Sequence, residues 1–109
     1  MENFTLREIH ASYGISRRAV QGYEKANLVS ASGKNECGHL LYDTAAVNRI
    51  QKIKLYQDMG FSIKEIQTII DGPTEILKDA LEKGEQILQG NILHNQAMIL
   101  LIRDILSSL

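Results

Sequence analysis

The chain has 109 residues, of which 44% are hydrophobic and 23% are charged, and its formal net charge is −1. This length and composition are typical of one globular domain with a short extension, and the net charge excludes a chain that is strongly basic throughout. Residues 1–60 hold eight Lys or Arg against six Asp or Glu, whereas residues 61–109 hold four against seven. The basic residues are therefore concentrated in the first part of the chain.

Targeting and disulfide signals are few. Cys37 is the single cysteine, so no intrachain disulfide is expected, which fits a reducing compartment. The opening MENFTLREIH lacks the apolar stretch of a signal peptide. The longest apolar run, residues 97–102, is far shorter than the roughly 20 residues that cross a bilayer. We therefore expect a cytoplasmic protein without a membrane partner.

The first two predicted elements are short helices. Thr5 and Glu8 have the spacing of a capping box, which predicts a helix start, and Gly14 offers the end of that helix. Ser16 is a suitable N-cap for a second helix. Two short helices joined by a turn that contains glycine are typical of a helix-turn-helix.

The sequence pattern changes in residues 30–42, which have no helical period and contain two glycines. This pattern predicts a loop or a small β-hairpin, called a wing when it follows a helix-turn-helix. Asp43 or Thr44 then caps a third helix. Ser62 and Glu65 form a second capping box, which predicts a fourth helix.

A heptad pattern follows from residue 77 to the end, and Thr74 is the predicted cap of this segment. The pattern is typical of helices that pack along their length. It favours one long helix, although Gly90 and Asn91 leave open a break into two. The residues that we assign to dimerisation through this seam are Leu77, Leu81, Leu88, Met98, Ile102 and Ile105.

The second helix carries the most specific chemistry. On a helical projection, its cations and an amide share one face with a glycine; these residues are Arg17, Arg18, Gln21, Gly22 and Lys25. Arginine and glutamine recognise guanine and adenine by bidentate hydrogen bonds, so this face is either a DNA-reading surface or an ordinary solvated one. Gly22 costs a helix about 1 kcal/mol relative to alanine. It either lets the backbone approach a ligand closely or occupies a tolerant surface position.

No catalytic set is recognisable, because the sequence lacks a phosphate-binding glycine loop and a nucleophile with an obvious base. Cys37 and His39 supply at most two of the four ligands that a structural zinc site needs. We therefore predict no enzyme, no metal and no other cofactor. His10, late in the first helix, either reaches a phosphate or is solvated.

Taken together, these motifs resemble the mercury-resistance-regulator (MerR) family of transcription factors. The segments that carry the resemblance are FTLREIHASYGIS, YEKANLV, GHLLYD and IQKIKLYQDMGFSIKEIQTII, which begin at residues 4, 23, 38 and 50. The chain departs from the family pattern at two places. Gln21 and Gly22 stand where the family usually has Arg-Tyr, and His39 and Leu40 stand where its wing usually has Tyr-Arg.

The resemblance implies a mainly helical fold. Residues 1–72 are expected to form a winged helix-turn-helix DNA-binding domain with a small β wing. Residues 73–109 are expected to form a dimerisation helix in an antiparallel coiled coil, with no separate effector domain. The implied function is that of a homodimer that binds double-stranded promoter DNA and bends or untwists the spacer. The residues expected to bind DNA are Arg17, Arg18, Gln21, Tyr23, Lys34, His39 and Tyr42.

Several questions about partners stay open at this point. RNA polymerase at the promoter is an expected partner, and a small-molecule effector is a further one without an identified chemistry. The alternative function is a regulator-like dimer that pairs with another protein and binds DNA weakly or not at all. The apolar residues beyond the seam in 98–109 either pack on the partner's DNA-binding domain or form an effector site or the attachment point of a sensor domain.

Overall fold

The computed structural model describes residues 2–109. The elements in chain order are β1 (Asn3–Phe4), α1 (Leu6–Tyr13), α2 (Arg17–Lys25), β2 (Gly33–Lys34), β3 (Leu40–Asp43), α3 (Thr44–Asp58), α4 (Ile63–Ile69) and α5 (Thr74–Ser108). The chain is mainly helical, as predicted, and divides into two compact units. The first unit ends at Asp71 and the second begins at Gly72.

The helices of the first unit begin where local signals predict. Thr5 and Glu8 close a capping box at α1, and Ser62 and Glu65 close another at α4. At α2 the Ser16 hydroxyl accepts a hydrogen bond from a backbone N–H of the first turn. These side chains satisfy N–H groups that have no partner inside their helices.

Two further helix ends show how capping depends on backbone geometry. Gly14 ends α1 with a φ of +69°, a left-handed conformation that favours glycine. Of the two predicted caps of α3, Asp43 is the cap, because its carboxylate accepts from the Ala46 N–H at 2.8 Å. The prediction that Thr74 caps α5 is wrong, since Thr74 is already the first helical residue and Pro73 holds the cap position without a side-chain hydrogen bond.

The segment between α2 and α3 forms the predicted hairpin, hereafter the hairpin (residues 33–43). Its strands β2 and β3 are antiparallel, with Lys34 opposite Leu40. At the turn, the Asn35 side-chain oxygen accepts hydrogen bonds from the N–H groups of Cys37 and His39, both at 3.0 Å, which is a common way for asparagine to stabilise a turn. Strand β1 pairs with the other edge of β3, in the order β1-β3-β2.

The core of the first unit joins its helices to β3. Its fully buried side chains are Tyr23, Tyr42, Ile9, Ile50, Ile53, Ile66, Val20 and Val47. Complete burial of one such aliphatic side chain is worth about 1.5–3 kcal/mol. Because the core includes residues of α2, α3 and β3, it fixes the second helix and the hairpin as parts of one body.

Helix α5 is continuous from Thr74 to Ser108 and passes through Gly90 and Asn91 without a break. The structure thus has one long helix, the favoured alternative. None of its residues is buried, and Ile102 and Ile105 are 55% and 61% exposed. Among residues 2–109, no helix combines the length and apolar content that a membrane crossing requires.

Candidate nucleic-acid interface

The second helix of the helix-turn-helix, α2, has one cationic face and one apolar face. Val20 and Tyr23 are buried in the core, whereas the side chains on the opposite side are exposed, namely Arg17, Arg18, Gln21 and Lys25. The ion pairs of the described residues join Arg49 to Asp71, Lys54 to Asp58 and Lys83 to Asp79. No cation of α2 takes part in these pairs, so the charges of this face are available to an external anion.

Two tyrosines that the family resemblance implies as DNA-binding residues lie in the interior of the first unit. Tyr23 is 1% exposed, and its hydroxyl donates a hydrogen bond to Gln57 at 2.6 Å. Tyr42 is fully buried, and its hydroxyl donates to the Glu24 carboxylate. Both rings face the core because that face of α2 and of β3 is the apolar one, and each hydroxyl finds an internal partner.

The buried hydroxyls fix the orientation of α2. The bond between Tyr23 and Gln57 ties α2 to α3, and the bond between Tyr42 and Glu24 ties α2 to the hairpin. Burial is the main cause that raises the pKa of both tyrosines. Both hydroxyls therefore stay protonated at neutral pH and keep donating.

The end of α2 is held by further side chains. Gln67 of α4 donates to the Ala26 carbonyl at 2.7 Å. Arg49 of α3 donates to the Leu28 carbonyl and forms a bidentate ion pair with Asp71, with N–O distances of 2.9 and 2.6 Å. The ion pair keeps the pKa of Asp71 below its usual range. These contacts link the loop after α2 to the last residue of the first unit.

A cleft of about 490 Å³ lies between the helix-turn-helix and the hairpin. Three of the expected DNA-binding residues line it, namely Arg17, Gln21 and His39. Lys34 is exposed on β2 but does not line this cleft, and Arg18 lies on the neighbouring side of α2 with Gly22 and Lys25. The structure thus groups a cation and an amide of α2 with the turn of the hairpin.

Arg7 also lines this cleft and is absent from the residues predicted by sequence. It lies on the exposed side of α1, and it shares a second cleft of about 330 Å³ with His10 and the start of α2. The signal in the sequence was the apolar spacing of Leu6 and Ile9, which directs position 7 outward. The proximity of Arg7 to α2 depends on how the two helices pack.

Gly22 lies on the exposed face of α2, and a Cβ atom added there would meet no other atom within 4 Å. Packing inside the chain therefore does not require a glycine at this position. Close approach of a ligand and simple tolerance both remain compatible with this geometry.

Cys37 is exposed at the hairpin turn, and residues 2–109 contain no group of three or more His, Cys, Asp or Glu side chains arranged to hold a metal ion.

The fold defines a helix-turn-helix protein. In DNA-binding proteins of this class, the second helix of the pair enters the major groove. A family model described as MerR HTH family regulatory protein matches residues 4–72. The chain therefore belongs to the MerR family, and the resemblance seen in the sequence is confirmed.

Curated relatives support the same family. The chain is 33% identical over 82 residues to the nodulation protein NolA of Bradyrhizobium sp. (strain NC92), covering 75% of this chain and 34% of that protein. It is 29% identical over 85 residues to the HTH-type transcriptional activator mta of Bacillus subtilis, covering 78% of this chain and 33% of that protein. The chain thus spans about a third of the length of these relatives.

Solved structures share the fold. The N-terminus of the multidrug transporter activator of Bacillus subtilis, MtaN, matches with a TM-score of 0.72 and 27% identity, covering 94% of this chain and 97% of that one. A MerR-family regulator from Bacillus cereus matches with a TM-score of 0.76 and 27% identity, covering 90% and 75%. HiNmlR, a MerR-family regulator bound to promoter DNA, matches with a TM-score of 0.73 over 97% of this chain and 89% of that one; its 19% identity shows likeness of fold alone.

Proposed function

We propose that the chain is a DNA-binding transcriptional regulator that acts as a homodimer on double-stranded promoter DNA. The observation that carries the proposal is the exposed face of α2, whose cations have no acidic partner in the first unit. Membership of the MerR family supports it, as does the name of the relative mta, a transcriptional activator. A regulator of promoters works where the DNA is, so we place the protein in the cytoplasm.

The two kinds of exposed side chain have different roles in this proposal. Arg18 and Gln21 point away from the core on α2 and are suited to base edges in the major groove. Lys34 and His39 lie on the hairpin, the proposed wing, where contacts to phosphates position the protein without reading sequence. Tyr23 and Tyr42 act indirectly by holding α2 in place.

The dimer is proposed to form through α5. A helix of this length with no buried residue leaves its heptad seam in water, and a second copy would cover that seam in an antiparallel coiled coil. Two linked DNA-binding units would then contact two half-sites at a fixed separation. We propose that this separation makes the bound promoter bend or untwist, which changes how RNA polymerase engages it.

A titration of labelled promoter DNA tests the proposal. The duplex is taken from the region upstream of the protein's own coding region, and binding is followed by fluorescence anisotropy. We expect saturable binding that weakens as salt rises, because phosphate contacts release counterions. No binding at low salt would overturn the proposal and favour the alternative of a dimer that pairs with another protein, which the neutral residues at positions 21 and 40 also favour.

A further inference from the structure

The residues that line the cleft between the helix-turn-helix and the hairpin suggest which part of the DNA binds there. We infer that Arg7 of α1 and Arg17 of α2 jointly bind one backbone phosphate of the duplex in this cleft. The inference rests on the proposed DNA binding and adds to it a site, a ligand class and a residue outside α2.

The geometry brings three elements to one place. The cleft is lined by the start of α1, the exposed face of α2 and the turn of the hairpin, through Thr5, Leu6, Arg7, Arg17, Gln21, Gly38, His39 and Leu40. Arg7 and Arg17 also line the adjoining cleft near His10. Arg7 and Arg17 therefore share both clefts.

The charge of this surface is one-sided. Neither Arg7 nor Arg17 takes part in an ion pair of the described residues, and no acidic side chain lines either cleft. Two cations that line one cleft without an acidic neighbour attract an anion to it. A phosphate oxygen pair matches the planar fork of arginine by bidentate hydrogen bonds.

Helix stability does not explain these arginines. Arg7 lies in the first turn of α1, and Arg17 is the first residue of α2, whose first turn has no acidic residue. A cation at a helix N-terminus is unfavourable because it faces the positive end of the helix dipole.

The cleft also holds the amide of α2. Gln21 lines it together with both arginines. This arrangement assigns Arg17 to the backbone and leaves Arg18, which lines the adjoining cleft near His10 but not the cleft beside the hairpin, for base edges.

Lys64 is a matched control for Arg7. Both are the second residue of a helix that begins with a capping box, Thr5 to Glu8 for α1 and Ser62 to Glu65 for α4. Both are exposed, and Lys64 lines neither cleft. Replacing each by glutamine removes one cation from the same position of a helix. A difference in DNA binding between the two variants therefore measures the contribution of the cleft.

The experiment compares Arg7→Gln, Lys64→Gln and the unchanged protein on the promoter duplex and on a scrambled duplex of equal length, from 50 to 200 mM salt. We expect Arg7→Gln to weaken binding to both duplexes by the same factor. Because Arg17 still contacts the phosphate in this single variant, the full reduction of the log–log salt slope by about 0.9, roughly a threefold smaller loss of affinity over this salt range, is expected of the double variant Arg7→Gln/Arg17→Gln. Lys64→Gln should leave the affinity and the salt slope unchanged. The double variant Arg7→Gln/Arg17→Gln should lose less than the two single losses combined, because the residues share one ligand.

Each other outcome overturns the inference in a recognisable way. If the unchanged protein binds but Arg7→Gln binds equally well, the phosphate site is wrong while the proposed function stands. A loss confined to the promoter duplex would make Arg7 a base contact, and an equal loss in Lys64→Gln would make the effect one of net charge. If the unchanged protein binds neither duplex, the proposed function fails first. Melting temperatures of all variants confirm that each is folded.

Discussion

Two interior tyrosine hydroxyls determine how α2 presents its cations. Tyr42 bonds to Glu24 across the gap between the hairpin and α2, and Tyr23 bonds to Gln57 of α3. Because both rings are buried, loss of a hydroxyl leaves a partner without its donor in a partly dry environment. Stability and the position of α2 therefore depend on the same two bonds.

Tyr42→Phe is expected to lower the free energy of unfolding by about 1–3 kcal/mol, since the Glu24 carboxylate loses its hydrogen bond. Urea denaturation measures this change. Tyr13→Phe is the control, because Tyr13 is 41% exposed and should tolerate the loss of its hydroxyl. Equal stability of Tyr42→Phe and the unchanged protein would show that the internal bond contributes nothing.

Gly22→Ala is expected to raise the melting temperature, because alanine is favoured over glycine in a helix interior by about 1 kcal/mol and the added Cβ meets open space. Gly22→Tyr should also be more stable than the glycine form. DNA affinity then separates the two explanations of this glycine. Affinity that falls while stability rises indicates close approach of the backbone to the duplex, and unchanged affinity indicates a tolerant position. A lower melting temperature of Gly22→Ala would contradict the geometry.

The ion pair between Arg49 and Asp71 makes the end of the first unit sensitive to acid. The pair keeps the pKa of Asp71 below its usual value, and the largest cause is the hydrogen bonding from Arg49. A lowered carboxyl pKa stabilises the folded state above the pKa of the unfolded chain, about 3.9, and this contribution is lost as the pH falls through the folded-state pKa.

Asp71→Asn should therefore lower the melting temperature at pH 6. It should also reduce the difference between the melting temperatures measured at pH 6 and at pH 3. Thermal unfolding monitored by circular dichroism tests this. Asp79→Asn provides the comparison, because both side chains of the Lys83–Asp79 pair inside α5 are exposed, and such pairs contribute little. Asp71 is exposed as well, but its partner Arg49 is half-buried and binds both of its carboxylate oxygens. The same pH dependence in Asp71→Asn and the unchanged protein would exclude a stabilising role of the ion pair.

Sequence reasoning predicted those features that depend on neighbouring residues. The two capping boxes, the glycine end of α1 and the helix-turn-helix all follow from short local patterns. Strand β1 was missed because two residues, Asn3–Phe4, are too few to show a period, and its pairing partner β3 lies far along the chain. The Thr74 cap was wrong because the pattern does not show which residue takes the extended backbone conformation before a helix.

The candidate site was predicted less completely than the fold, because it combines residues of separate elements. Arg17, Arg18 and Gln21 were found from the period of α2 alone. Tyr23 and Tyr42 are expected to bind DNA only from the family resemblance, whereas tertiary packing turns both rings inward. Arg7 was missed because its relation to α2 and the hairpin arises only when three separate elements meet.

The exposed seam of α5 predicts how the protein assembles. Its seam residue Leu88 is 45% exposed, and no residue of the helix is buried. Leu88→Asp places a charge in the proposed dimer seam and should shift the protein to monomers at micromolar concentration, which sedimentation velocity detects. Promoter binding should weaken as well, because two half-sites are no longer contacted together.

Gln86→Asp is the matched control for Leu88→Asp. It introduces the same side chain two residues earlier, on the side of α5 that lies away from the seam at about 100° per residue. We expect Gln86→Asp to remain dimeric. A monomeric unchanged protein, or equal dissociation of both variants, would contradict the proposed seam.

The cationic face of α2 is proposed to read DNA, and the variant Arg18→Ala tests this role of the helix. Arg18 is exposed, lies outside the core and has no acidic partner among the ion pairs of the described residues. Anisotropy titrations compare the unchanged protein with Arg18→Ala on the promoter duplex and on a scrambled duplex. We expect a loss of about 1–3 kcal/mol on the promoter duplex and a smaller loss on the scrambled one. Equal affinity of the two proteins for the promoter duplex would contradict it.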